Sequence, residues 1–218
     1  MKRIIAVVFV LMGILSCAGP RDRFTRQELR LLNGADSIMR VLTIESRQDN
    51  ATLRATSRDF SAEVLLSSDF ERLADLMVAT VTHPSQDGVG IAGPQVGLNR
   101  RVVAVQRFDK EGEPFEVYPN IRIVWTSDSL RYGPEGCLSV PDRRGEVLRS
   151  QAIVVEYADL RALAAGRASE GLNPQETGDA RDAAVPIVRD TVRGFTAVIF
   201  QHEVDHLDGI LYIDRVSK

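Results

Sequence analysis

The feature that most constrains this chain is the segment Gln201-His202-Glu203-Val204-Asp205-His206 near its C-terminal end. Two histidines four residues apart lie on one face of a helix, about one turn from each other, so their imidazoles can bind the same divalent metal. A glutamate beside the first histidine can exchange protons with a water at that metal. The pattern therefore predicts a helix over about 195–206 whose inner face carries a metal site.

A catalytic metal site usually has three protein ligands and one open position. The longer zinc-protease pattern H-E-x-x-H-x-x-G-x-x-H would require a histidine at position 212, where this sequence has Tyr212. We therefore expect the third ligand upstream, and the candidates are Cys137 and His83. A thiolate with two imidazoles is a reasonable site for Zn or Fe(II). The alternative is that Cys137 is an ordinary buried cysteine.

The N-terminal residues 1–17 are typical of a bacterial lipoprotein signal. Lys2-Arg3 is basic, and the apolar run 4–15 is too short to span a bilayer comfortably. A small residue precedes Cys17, which we expect to be lipidated. On this interpretation the protein lies at the cell envelope, faces the periplasm or the outside, and has a polar tether over 18–36. A plain secretory signal, an uncleaved anchor, and a cytoplasmic protein with an unused signal are the alternatives.

The remaining residues, 37–218, are of a length that we expect to form a single domain. Hydrophobic residues make up 44% of the chain, which is enough for a core, and the net charge of -3 gives no electrostatic reason to expect nucleic acid as a partner. A capping pattern at 68–71 and an apolar stripe predict a helix that ends near His83. Runs rich in β-forming residues predict strands over 101–107, 121–125 and 152–157. We expect the segment 160–185 to be an inserted surface loop or a short exposed helix.

A glycine-rich segment, 88–97, lacks the residues of a phosphate loop and the strand that precedes a dinucleotide fingerprint. Its small residues would instead let the backbone approach a ligand closely. Taken together, Gly88-x-Gly90-Ile-Ala-Gly-Pro-Gln95, Glu135-Gly136-Cys137-Leu138-Ser139 and Gln201-His202-Glu203-x-x-His206 resemble the three motifs of the peptide deformylase family, in the same order. The resemblance runs from about Met39 to Val216.

The resemblance implies an α+β fold in which β-sheets pack around a central metal-binding helix. It implies hydrolysis of the N-formyl group of formyl-methionyl peptides, with one divalent metal that is Fe(II) or a substitute such as Zn or Ni. The implied metal ligands are Cys137, His202 and His206. The implied catalytic groups are the general acid/base Glu203 and an oxyanion hole made of Gln95 and the backbone N–H of Leu138. The implied substrate contacts are Val89, Gly90, Arg144, Val198 and Ile199.

Two features depart from the family pattern. Gly93 stands where alanine is usual, and Cys137 and His202 are farther apart than expected, a difference that 160–185 can accommodate. The predicted lipid anchor also conflicts with the family's usual work on nascent chains in the cytoplasm. A metallopeptidase is one alternative, although it leaves the first two motifs unexplained. A non-catalytic formyl-peptide-binding lipoprotein is another, although Glu203 argues against it. We expect a monomer whose partners are N-formylated peptides.

Overall fold

The computed structural model describes residues 23–86, 88–170 and 184–216. The helices within these ranges are α1 (Arg26–Asn33), α2 (Arg47–Leu53), α3 (Ala62–Leu65), α4 (Ser68–Val81), α5 (Leu160–Glu170) and α6 (Gly194–Leu207). The strands are β1 (Gly90–Ala92), β2 (Val102–Gln106), β3 (Phe115–Pro119), β4 (Arg122–Thr126), β5 (Leu130–Cys137), β6 (Val140–Ser150), β7 (Ala152–Ala158) and β8 (Ile187–Arg193). None of the described helices is both long and apolar enough to cross a membrane. The predicted signal, including Cys17, lies outside the described residues.

The strands of the described ranges form three antiparallel sheets, in the orders β1-β2-β3, β4-β7-β8 and β5-β6. Strand β2 is a continuous apolar run because both of its faces are covered. Val102 and Ala104 pack in the cluster that contains α4, whereas Val103 and Val105 pack in the cluster that contains α6. Strand β2 is therefore the layer that separates the two helices.

Helix α6 is the central element of the fold. Its apolar residues pack against strands of two sheets, and the cluster contains Ala197, Ile199, Phe200, Val204 and Leu207. The helix begins at Gly194 and is followed by Gly209, both with positive φ, at 62° and 73°. These bounds confirm the helix predicted over 195–206, and the arrangement confirms an α+β fold with sheets around a central helix.

Helix α4 confirms the predicted apolar stripe, with Phe70, Leu73, Met77 and Val81 all buried. Its N-cap is one residue earlier than predicted, because the side chain of Ser67 accepts the hydrogen bond from the N–H of Phe70. The stripe covers one face of the β1-β2-β3 sheet and thereby supports strand β1.

The prediction of a polar tether over 18–36 is wrong for the part that the structure describes. Helix α1 begins with a capping box between Thr25 and Glu28, and Leu32 is fully buried in the core. The Glu28 carboxylate accepts a hydrogen bond of 2.6 Å from Arg100 Nε, and the Arg100 side chain is itself fully buried. The charges of this segment suggested a solvated spacer, but their partners lie far along the chain.

Two other segments complete the surroundings of the helix. Pro134 to Cys137 belong to β5, and only Leu138 and Ser139 form the turn that leads into β6. The part of 160–185 that is described up to residue 170 is helix α5, in agreement with the helical alternative, although its Leu163 side chain packs into the core and is not exposed. Residues 171–183 lie outside the described part.

Candidate active site

The metal-binding side chains predicted from the sequence meet at one place. The ligand atoms of Cys137, His202 and His206 all lie within 4.8 Å of one another, and Cys137 Sγ is 3.3 Å from His206 Nε2. A tetrahedral zinc with bonds of about 2.3 Å to sulfur and about 2.1 Å to nitrogen would separate these two atoms by roughly 3.6 Å. The cluster therefore fits a divalent metal. His83, the other candidate ligand, instead contacts Ser85 Oγ through Nδ1 at 2.8 Å.

The surroundings of each imidazole are consistent with metal binding. His202 Nδ1 lies 2.8 Å from Glu135 Oε2, which leaves Nε2 to face the cluster. His206 is almost fully buried, and burial lowers its pKa well below the usual value. A histidine binds metal as the neutral ring, so this burial favours the ligand form.

A charged network lies behind His202 and orients it. The Arg149 guanidinium donates to both carboxylate oxygens of Glu135, at 2.7 and 3.0 Å, and to Asp205 at 2.6 Å. Asp205 also accepts two hydrogen bonds from Arg215. Burial raises the pKa of Glu135, but the hydrogen bonds from His202 and Arg149 outweigh this effect. The net result is a pKa of about 2. Glu135 therefore stays ionised and holds the His202 ring.

Glu203 lies beside the cluster with its carboxyl group enclosed. Its Oε2 is buried and has no hydrogen-bond partner within the described part of the chain. Burial raises the pKa of this carboxyl group to about 7, against the opposing effect of His202. A buried carboxylate without a partner beside a metal-binding cluster is suited to exchanging a proton with a water or substrate placed between them.

Gln95 also lies beside the cluster, and its amide has a defined orientation. Its Oε1 accepts a hydrogen bond of 2.8 Å from the N–H of Ala92, so that Nε2 points toward Cys137 Sγ, at 3.6 Å, and Ser139 Oγ, at 3.3 Å. The N–H of Ser139 also donates to Cys137 Sγ, at 3.4 Å. The amide donor therefore lies next to the ligand cluster.

These groups face a cleft of about 820 Å³. All of the predicted catalytic and substrate-binding residues line it, as do two of the three ligands: Val89, Gly90, Gln95, Cys137, Leu138, Arg144, Val198, Ile199, His202 and Glu203. The structure thus brings together the residues that the sequence picked out from three distant segments. His206 lies deeper, with 1% of its surface exposed.

Three contributors to the site had no assigned role at the level of sequence. Arg149 and Arg215 were not singled out, because an arginine in a strand or in a C-terminal turn carries no signal of its partner. Tyr212 was considered only as a residue that is not histidine, yet its ring lies beside that of His202, with 6.0 Å between the ring centroids. Asp205, which lies within the histidine motif, also supports the site, because its carboxylate accepts a hydrogen bond from Arg149.

Comparisons with known proteins agree with this geometry. Residues 41–173 and 180–218 match the family model described as Polypeptide deformylase. The chain is 38% identical over 175 residues to peptide deformylase 2 of Nostoc sp., which covers 78% of this chain and 83% of that protein.

Solved structures show the same likeness. A crystal structure of the class I type b peptide deformylase from Acinetobacter baumannii has a TM-score of 0.65 and 33% identity, and covers 83% of this chain and 100% of that one. The form of that enzyme bound to Met-Ala-Ser has a TM-score of 0.63 and 32% identity, and covers 84% of this chain and 100% of that one. Because the matched residues span most of the sequence and include all three motifs, this chain belongs to the peptide deformylase family.

Proposed function

We propose that this peptide deformylase uses one divalent metal, Fe(II) by preference and Zn or Ni as substitutes, to hydrolyse the N-formyl group of formyl-methionyl peptides. Cys137, His202 and His206 would hold the metal. The observation that carries the proposal is the clustering of these three ligands at the base of one cleft, which Glu203 also lines with a carboxylate oxygen that has no partner within the described residues. A divalent metal held there would polarise the formyl group and make water a nucleophile near neutral pH.

The residues of the chain would divide the remaining work. Glu203 would take the proton of the attacking water and deliver it to the leaving amine, a role that suits a carboxyl group whose pKa is near 7. The Gln95 amide and the N–H of Leu138 would donate hydrogen bonds to the oxygen that becomes negative. Removing one such donor typically costs on the order of 3 kcal/mol of transition-state stabilisation.

The cleft walls suit a short peptide with an apolar first side chain. Val89, Val198 and Ile199 offer an apolar surface, Gly90 lets the peptide backbone approach closely, and Arg144 adds a charge at the rim. Each of these residues is proposed to contact the substrate. The Met-Ala-Ser peptide bound to the Acinetobacter relative supports this class of ligand.

We also propose that the enzyme works at the cell envelope on exported or scavenged formyl-peptides, anchored by lipid at Cys17. The described fold begins at Arg23, and Arg100 donates a hydrogen bond of 2.8 Å to its carbonyl oxygen. Six residue steps span at most roughly 20 Å, so a lipid at Cys17 would hold the domain close to the bilayer surface. Membrane fractionation and mass spectrometry of the native protein test this, and an unlipidated cytosolic protein would contradict it.

Formate release from formyl-Met-Ala-Ser tests the activity itself. Residues 18–218 are purified without oxygen, because Fe(II) beside a thiolate is prone to oxidation. The protein is then loaded with Fe(II), Ni(II) or Zn(II) and compared with Glu203→Ala. We expect metal-dependent release that the substitution abolishes although metal remains bound. Cleavage of unformylated Met-Ala-Ser instead would indicate a metallopeptidase, and metal binding without any hydrolysis would indicate a binding protein.

A further inference from the structure

Tyr212 contacts the metal site and the substrate-facing wall of the cleft at the same time. It is buried, with 1% of its surface exposed. Its ring lies nearly parallel to that of His202, with an angle of 22° between the planes and 6.0 Å between the centroids. Its hydroxyl group donates a hydrogen bond of 2.8 Å to the carbonyl oxygen of Arg143. One side chain thus connects a proposed metal ligand with the hairpin formed by β5 and β6.

The turn that follows α6 holds Tyr212 in this position. Gly209 allows the chain to reverse with φ of 73°, and a Cβ atom there would lie 2.3 Å from the carbonyl oxygen of Arg54. Asp214 accepts a hydrogen bond of 2.9 Å from the N–H of Leu211 and forms an ion pair with Arg54. The turn is therefore tied to the body of the protein on both sides of Tyr212, and the ring has a defined place.

The other end of the contact is an irregular part of the hairpin. Cys137 pairs with Val140, but Gly136 pairs with Arg144, so residues 141–143 form a bulge in β6. Asp142 within the bulge has φ of 58°, which is uncommon for a residue other than glycine. Bulges bend a strand and re-aim its side chains. This bulge places Arg144 at the cleft, and the Tyr212 hydroxyl group fixes the carbonyl oxygen of the preceding residue.

We propose, on the basis of the proposed deformylase site, that Tyr212 is a positioning residue that holds His202 and the β5-β6 hairpin in a single relative position. Its ring lies along one face of the His202 imidazole, whose Nδ1 is held by Glu135. Its hydroxyl group holds the bulge, and through it Arg144. The two contacts are chemically separable, because phenylalanine keeps the ring and removes the hydroxyl group.

The test compares Tyr212→Phe and Tyr212→Met with the unsubstituted chain. A net hydrogen bond is typically worth a two- to tenfold change in an equilibrium constant. We expect Tyr212→Phe to weaken binding of the Met-Ala-Ser peptide, and to raise KM for formyl-Met-Ala-Ser, by about two- to tenfold. The value of kcat and the affinity for Zn(II) in chelator competition should not change. We expect Tyr212→Met to lower Zn(II) affinity by about tenfold and to alter the Co(II) absorption spectrum.

Tyr157→Phe is the matched control. It removes a tyrosine hydroxyl group that makes no hydrogen bond within the described part of the chain. The remaining ring still packs on that of Tyr118, with 4.8 Å between the ring centroids. It should leave peptide affinity, KM, kcat, Zn(II) affinity and the Co(II) spectrum unchanged. Unchanged peptide affinity in Tyr212→Phe would overturn the role of the hydroxyl group. Unchanged metal affinity and spectrum in Tyr212→Met would overturn the role of the ring.

Peptide affinity and metal affinity are measured without turnover. A wild-type protein that binds peptide and metal but releases no formate would therefore refute the proposed reaction and still decide the role of Tyr212. If Tyr212→Met fails to fold, Tyr212→Phe continues to test the link to the hairpin. Equal losses of peptide and metal affinity in Tyr212→Phe would indicate general destabilisation and would also overturn the proposal.

Discussion

The substitution Gly90→Ala tests whether the position of the Glu203 carboxyl group carries the activity. Gly90 lies in β1, and its φ is not positive, so alanine can adopt the same backbone conformation. A Cβ atom at this position would lie 2.5 Å from Glu203 Oε1 and 2.9 Å from its Cδ and Cγ atoms. Carbon atoms in van der Waals contact lie about 3.5–4.0 Å apart, so the carboxyl group must move by roughly 1 Å.

The expected cost of that movement is large. Glu203 is 4% exposed and is fixed to the central helix, so it cannot move away into solvent. A displacement of about 1 Å in a catalytic group can lower the rate by about a hundredfold. A hundredfold loss corresponds to about 2.7 kcal/mol of transition-state stabilisation. The substitution does not touch the three proposed ligands, so the bound metal should be retained.

The assay is formate release from formyl-Met-Ala-Ser, with metal content and thermal unfolding measured on the same sample. Gly133→Ala is the matched control, because it adds a methyl group to β5 where no heavy atom lies within 4 Å. Because Gly90 is also proposed to contact the peptide backbone, kcat is the quantity that reports on Glu203, and we expect kcat to fall by about a hundredfold in Gly90→Ala and to stay unchanged in Gly133→Ala. A Gly90→Ala protein that keeps its metal and retains nearly full activity would refute the role given to the Glu203 position.

Two further predictions concern buried charges, and urea unfolding measures both. In Arg149→Met, the carboxylates of Glu135 and Asp205 both lose a buried partner. We therefore expect the free energy of unfolding to fall by about 3–5 kcal/mol and Zn(II) to bind more weakly in chelator competition. The control Arg189→Met removes an exposed arginine and should lower the free energy of unfolding by no more than about 1 kcal/mol. Equal losses of stability in the two variants would contradict this reasoning. Burial raises the pKa of the Glu28 carboxyl group, but the hydrogen bond from Arg100 contributes to a net lowering of that pKa below its ordinary value. The stability from this pair is therefore complete above about pH 4.5 and is lost as the pH falls through the lower folded-state pKa, whereas Glu28→Gln should lack this component of the pH dependence.

The metal-binding helix shows how far local sequence can predict a site. The spacing of His202 and His206 places both rings on one face of any helix, so their proximity follows from helix geometry alone. The bounds of α6 were predictable for the same reason, because glycine and apolar periodicity act over a few residues. Cys137 is different, because the choice between it and His83 came from the family resemblance and not from the chemistry of the neighbouring residues.

The charged residues show where sequence reasoning failed. Arg100 and Glu28 are 72 positions apart, and each was consistent with a solvated surface. In the folded chain they form a buried pair that makes α1 part of the domain. Arg149 likewise gained its role only when β6 paired with β5 and packed against α6. A charge has no periodic signature that reveals its partner, so such pairs escape prediction from one sequence.

The sequence by itself thus determined the helix that carries two ligands and a carboxylate, the three motifs of the site and the class of fold. The two ligands and the carboxylate depend on spacing within a turn of helix. The motifs and the class of fold depend on short residue patterns that occur in the same order as in the family. Only the tertiary structure decided that Arg149 supports Glu135 and that Tyr212 joins His202 to the hairpin. Such contacts depend on how separate elements pack in space, and pairings of this kind leave no trace in the spacing of residues along the chain.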